Sequence, residues 1–85
     1  MSSMKDKVDK QLKTLGKTLR ELREGTLMPN GNCMTQREVA LILGIQYQSY
    51  QAYERGISYP SLPNFLKLSE LYDVSLDYLV GKQDI

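Results

Sequence analysis

An 85-residue chain with 25% charged and 41% hydrophobic residues has room for one small core, and its net charge of +1 does not by itself announce an anionic partner. A single cysteine and no histidine exclude an internal disulfide framework and the usual zinc ligand sets, and remove the commonest general base. No apolar run approaches membrane-spanning length and Met1 to Lys13 alternates charges where a signal peptide needs apolar residues, so the expectations are a cytoplasmic protein, no metal, no cofactor and no enzymatic activity.

From Lys5 to Glu24, Val8, Leu12, Leu15, Leu19 and Leu22 recur at steps of four and three, the stripe of a single helix. The stripe from Leu15 onward reads as core. Val8 and Leu12 read either as core or as a seam that extends beyond the domain and pairs with another chain.

Gly25 to Met34 contains Pro29 and the run Asn30-Gly31-Asn32, which stops the helix and gives an exposed, mobile loop with at most a small two-stranded ribbon. Thr35-Gln-Arg-Glu38 has the spacing of a capping box and starts a second helix, with Val39, Ala40, Ile42 and Leu43 as its apolar face and Gly44 as its left-handed end. Ile45 turns inward. Gln46 opens a third helix running to about Glu54 and closed by Gly56, so the two helices are joined steeply by only three or four residues.

Ser61 caps a fourth helix with Pro63 in its first turn, and Leu62, Phe65, Leu66, Leu68 and Leu71 are assigned to its buried side. A fifth helix runs from about Ser75 to Val80, with Leu76 and Leu79 inward and Gly81 at its end. The fold class expected is all-α, a compact five-helix domain containing a helix-turn-helix.

The third helix is the informative one. Solvated helix faces usually carry Lys and Glu, yet both are absent from Gln46 to Tyr53, where Gln46, Tyr47, Gln48, Ser49, Gln51 and Ala52 stand instead. In a tight helix-turn-helix the second helix presents its outer face to a major groove about 12 Å wide. Glutamine both donates and accepts, matching adenine, and tyrosine offers a ring to thymine methyls and a hydroxyl to phosphates. Charge distribution agrees: Met1 to Gly56 holds nine Lys/Arg against six Asp/Glu, the remainder two against four.

The pieces LGKTLRELRE, TQREVALILGI, YERGISYPSL and LYDVSLDYLVGK, in that order from about Leu15 to Gly81, closely resemble the phage-repressor-like helix-turn-helix family of the Xre/Cro type, with its lambda-repressor-like fold. The resemblance implies a sequence-specific transcriptional regulator, a repressor, that binds a double-stranded DNA operator as a homodimer. It implies that Gln36 clamps a phosphate, that Tyr47, Gln48 and Ala52 face base edges, that Gln46, Ser49 and Gln51 lie near bases or phosphates, and that Arg55 lies by a flanking phosphate. It further implies a partly buried ion pair between Arg23 and Glu54 that braces the third helix. A domain at 14–82 is expected, between a helical N-terminal extension, 1–13, and a short tail, 83–85.

The sequence departs from the family pattern in the long connection between Arg23 and Thr35, which is either an idle insertion or an approach to DNA backbone, and in the N-terminal addition. No sensor segment is evident, so no small-molecule ligand is expected. Tyr50 and Tyr53 read as core; Tyr59, Tyr72 and Tyr78 as packing or dimer surface, the last two helices through Ile85 being one candidate dimer face and Val8 with Leu12 the other. Cys33 reads as a plain loop thiol rather than a redox sensor. The rival reading is a protein-interaction module, an antitoxin or adaptor, which would need an apolar outer face where this chain is mostly polar.

Overall fold

The computed structural model describes residues 4–82, so the first three residues of the N-terminal extension and the 83–85 tail, with the part of the candidate dimer face that falls on it, lie outside the described residues. Five helices follow in order: α1 (Met4–Glu24), α2 (Gln36–Leu43), α3 (Tyr47–Glu54), α4 (Leu62–Tyr72) and α5 (Leu76–Leu79). Among the described residues, none is long and apolar enough to cross a membrane.

Local chemistry fixes the boundaries of the central pair. The Thr35 hydroxyl accepts from the Glu38 backbone N–H at 3.1 Å while the Glu38 carboxylate accepts from the Thr35 N–H at 2.9 Å, a complete capping box. At the other end Gly44 takes φ 72°, a left-handed conformation, and the Ile45 N–H closes back onto the Ala40 carbonyl at 3.0 Å. Ile45 is thereby folded against the core. Gln46 is the N-cap of α3 rather than its first residue: its backbone is extended, with φ −71° and ψ 146°. The Ser61 and Ser75 hydroxyls cap α4 and α5 by accepting from the Asn64 and Tyr78 backbone N–H, and with Ser75 as its cap α5 is shorter than the sequence expectation.

The core gathers Leu15 and Leu19 from α1, Val39, Ala40 and Leu43 from α2, Tyr50 and Tyr53 from α3, Leu68 and Tyr72 from α4, and Leu79 from α5. Three expected core positions face solvent: Ile42, Leu62 and Leu66 are 53%, 65% and 50% exposed. Helical phase explains this. At about 100° per residue, Leu66 lies roughly 160° and Leu62 roughly 120° from Leu68, whereas Tyr72 lies roughly 40° away and takes the buried place instead. Burial of Tyr72 decides between the two readings open for it, as packing rather than dimer surface.

The Gly25 to Met34 connection is mostly exposed, as its composition suggests, but it is anchored at two points. Met34 is buried and Met28 packs against the core, while a bridge between Leu27 and Cys33 and the Met28 N–H to Asn32 carbonyl bond (2.8 Å) close a small ribbon. Gly31, at φ 86°, forms its turn. Two methionines thus pin an otherwise polar segment. At the start of α1, Met4 is exposed and Val8 39% exposed, and the Tyr59 hydroxyl donates to the Val8 carbonyl at 2.8 Å, tying this part of the helix to the body.

Candidate nucleic-acid interface

Two α1 residues set the position of α3. Gly16 lets the helices meet at backbone distance: a Cβ there would lie 2.5 Å from the Glu54 carbonyl oxygen and 2.9 Å from that of Tyr53. Two turns on, Arg23 Nε donates to Glu54 Oε2 at 2.7 Å and Nη2 to Oε1 at 3.1 Å, while Nη1 reaches the Met34 carbonyl at 3.1 Å. The side chains are 13% and 3% exposed, so the pair is largely desolvated.

Burial alone would push the Glu54 carboxyl up. Hydrogen bonds from Arg23, Tyr50 and Gln36, with the Arg23 charge, outweigh burial and hold it below the usual value of 4.5. The Glu54 bond raises Arg23 in turn. Behind them, the Tyr50 and Tyr72 hydroxyls share a 3.0 Å hydrogen bond, and desolvation pushes Tyr72 up to about 12 and Tyr50 further still, so both stay protonated.

This network reaches the surface through Gln36, whose Nε2 donates to Glu54 Oε1 at 2.9 Å. One of the two amide hydrogens is thereby used and the other remains for an outside acceptor. Gln36 lies between two shallow concavities, one lined by Arg20, Arg23, Glu54 and Arg55, the other by Arg23, Cys33, Thr35, Arg37 and Tyr47. The rim around the N-terminus of α2 is therefore rich in arginine although the chain as a whole is nearly neutral, and the positive end of α2 adds to that field.

With Tyr50 and Tyr53 buried, the opposite side of α3 is turned outward. Gln46 and Gln48 are exposed, Tyr47, Ser49, Gln51 and Ala52 are half-buried, and Arg55 is exposed just beyond the last turn. Gln51 Nε2 donates to the Tyr47 hydroxyl at 3.3 Å. Sequence reasoning missed two participants. Gly16 carries no signal of its own in a helical stripe; Arg37, whose Cζ sits 4.2 Å from the centre of the Tyr47 ring, was visible only as the lone cation between Thr35 and Glu54.

A helix-turn-helix family model matches residues 34–79, which contain α2, α3 and their junction. The chain is 40% identical over 72 residues to the HTH-type transcriptional regulator ImmR of Bacillus subtilis, covering 85% of this chain and 52% of that protein. It is 36% identical over 66 residues to the uncharacterized HTH-type transcriptional regulator YobD of the same organism, 78% of this chain and 54% of that one. It is 35% identical over 48 residues to the cryptic phage CTXphi transcriptional repressor RstR of Vibrio cholerae, 56% of this chain and 43% of that one. The chain thus spans about half the length of the curated relatives it matches. No solved structure matches it. A match over more than half of its residues, beginning with a two-helix unit with a capped entry and a left-handed glycine at the junction, places the chain in the phage-repressor-like helix-turn-helix family.

Proposed function

We propose that the chain is a sequence-specific binder of double-stranded DNA that regulates transcription, acting as a repressor by occupying an operator. The observation that carries this is the division of α3: Tyr50 and Tyr53 bury one side, while Gln46, Tyr47, Gln48, Ser49, Gln51 and Ala52 leave an uncharged, hydrogen-bonding surface on the other. Such a surface has little to offer a nonpolar partner and a good deal to offer base edges.

In this reading Gln36 and Arg55 fix the domain on the phosphate backbone and α3 enters the major groove. The hydrogen bond that Gln36 donates to Glu54 orients its amide, so the buried ion pair acts on DNA through the amide it holds. Phosphate contacts set register and the residues at the start of α3 select sequence. One such domain contacts few base pairs, and a homodimer on two half-sites about 34 Å apart supplies the remaining specificity. Exposed Tyr78 on α5 and the exposed Met4 and Val8 on α1 are among the apolar surfaces open to a second copy.

Selection of bound duplexes from a random-sequence library at about 0.15 M salt, where surface charges are well screened, tests the proposal. A palindromic motif enriched by the protein and lost by Tyr47→Ala, Gln48→Ala supports it. No enrichment at any protein concentration would refute it, and sedimentation showing a monomer on the enriched duplex would refute the dimer alone.

A further inference from the structure

We propose that Arg37, on α2, belongs to the DNA-reading surface: the Tyr47 ring is a shelf that sets its guanidinium against the O6 and N7 edge of a guanine next to the bases met by the first turn of α3. The assignment rests on the DNA-binding reading above and adds to it a specificity-determining residue outside α3.

Three observations lead here. First, Arg37 has no acidic partner. Arg20 pairs with Glu24 and Arg23 with Glu54, whereas among the described residues Arg37 makes neither a hydrogen bond nor an ion pair, and its one specific contact is the Tyr47 ring, 4.2 Å from Cζ to centroid. Contact with a ring restrains a guanidinium without consuming the N–H donors a carboxylate would occupy.

Second, the shelf is itself held. Tyr47 is the first residue of α3, and one turn later Gln51 donates to its hydroxyl at 3.3 Å. Arg37 is the second residue of α2, so the stack joins the entrances of the two helices, beside Gln36. A long flexible side chain restrained at the groove-facing end of the unit loses less freedom when it binds.

Third, the outer face of α3 lacks what guanine requires. Glutamine suits adenine, which presents one donor and one acceptor, but guanine presents two acceptors in the major groove and is best met by a planar group with two donors. From Gln46 to Tyr53 there is no Lys or Arg, and Arg37 stacks on the first residue of that helix. Tyr47 is then a positioning residue for Arg37, and the ring is committed to the protein rather than offered to a thymine methyl.

The test is duplex selection with the unaltered protein and with Arg37→Ala, Arg37→Lys, Tyr47→Leu and Tyr47→Phe, each checked by thermal melting. The expected result is a guanine at one position of each half-site that Arg37→Ala loses, with affinity for that guanine falling on the order of tenfold relative to the other bases and the remaining positions unchanged. Arg37→Lys loses the same preference because it lacks the planar fork. Tyr47→Leu loses it too, Tyr47→Phe recovers it relative to Tyr47→Leu, and adding Arg37→Ala to Tyr47→Leu removes nothing more. If Arg37→Ala weakens all sequences equally and lowers the salt dependence, Arg37 is a phosphate contact and the assignment is overturned. An unchanged motif overturns it as well, leaving the DNA reading standing; a protein that enriches no motif at all overturns both.

Discussion

Arg23 near the end of α1 holds Glu54, the last residue of α3, by two hydrogen bonds of 2.7 and 3.1 Å, and the same carboxylate holds Gln36 at 2.9 Å. Removing one partner and removing both should therefore have different consequences. Glu54→Gln strands a largely buried guanidinium and is expected to destabilise the fold by about 3 kcal/mol. The pair replacement Arg23→Met, Glu54→Leu removes both charges and is expected to fall within about 1 kcal/mol of the parent. Urea unfolding separates the two, and equal losses in both variants would show that the pair stabilises through attraction rather than merely tolerating its own desolvation. DNA affinity should fall most in the pair replacement, which leaves Gln36 without its acceptor, whereas Glu54→Gln keeps an amide oxygen that can still accept from it.

The same carboxylate makes stability depend on acid. Its folded value lies below 4.5, so its contribution is complete above about pH 4.5 and is lost as pH falls through the lower folded value. Tyr72 works at the other extreme: its value is raised from 10.0 to about 12, so its contribution is complete below pH 10 and is lost as pH rises toward 12. Urea midpoints across pH should show a plateau with a decline at each side. Glu54→Gln should flatten the acid side and Tyr72→Phe should reduce the alkaline decline, the rest of which belongs to Tyr50, raised further still; an acid decline unchanged in Glu54→Gln would assign it to other carboxylates.

Gly16→Ala should reverse an ordinary rule. Alanine in a helix interior usually gains about 1 kcal/mol over glycine. Here the new Cβ meets the backbone oxygen of Glu54 at 2.5 Å, and a backbone atom cannot swing aside as a side chain can. A net loss of about 1 to 3 kcal/mol is expected, the range for overpacking a filled site. A higher melting temperature in Gly16→Ala would mean that α1 and α3 are not in backbone contact.

How much of this was legible in the sequence depends on whether the determining interaction is local. The α2 entry at Thr35 and Glu38, its end at Gly44 and the cap at Ser61 involve residues a few positions apart, so spacing alone identified them, whereas Ser75, read as the start of the fifth helix, is its cap. Orientation within α4 was not legible: every Leu of that helix is equally apolar, and only packing against the other helices decides that Leu68 and Tyr72 turn in while Leu62 and Leu66 turn out. Gly16 and Arg37 were missed for the same reason, since one is defined by a backbone 38 residues away in Glu54 and the other by a ring ten residues away in Tyr47. The pairing of Arg23 with Glu54 came from family resemblance, and nothing in composition or periodicity would have produced it.

Arg55 and Gln48 should respond oppositely to salt and to sequence. Both are exposed, but Arg55 lies beyond the end of α3, beside the concavity shared with Arg20 and Gln36, whereas Gln48 stands on its first turn. A cation that meets a phosphate displaces a counterion and carries no sequence information. Arg55→Ala is therefore expected to weaken binding about uniformly across duplexes and to reduce the slope of log K against log salt by about 1. Gln48→Ala is expected to leave the slope alone and relax the preference at one position, by roughly 1 to 3 kcal/mol of discrimination. Anisotropy titrations from about 50 to about 200 mM salt measure both. With so few unpaired cations near the site the parent slope should itself be shallow, and a steep one would mean that the N-terminal lysines of α1 reach the backbone as well.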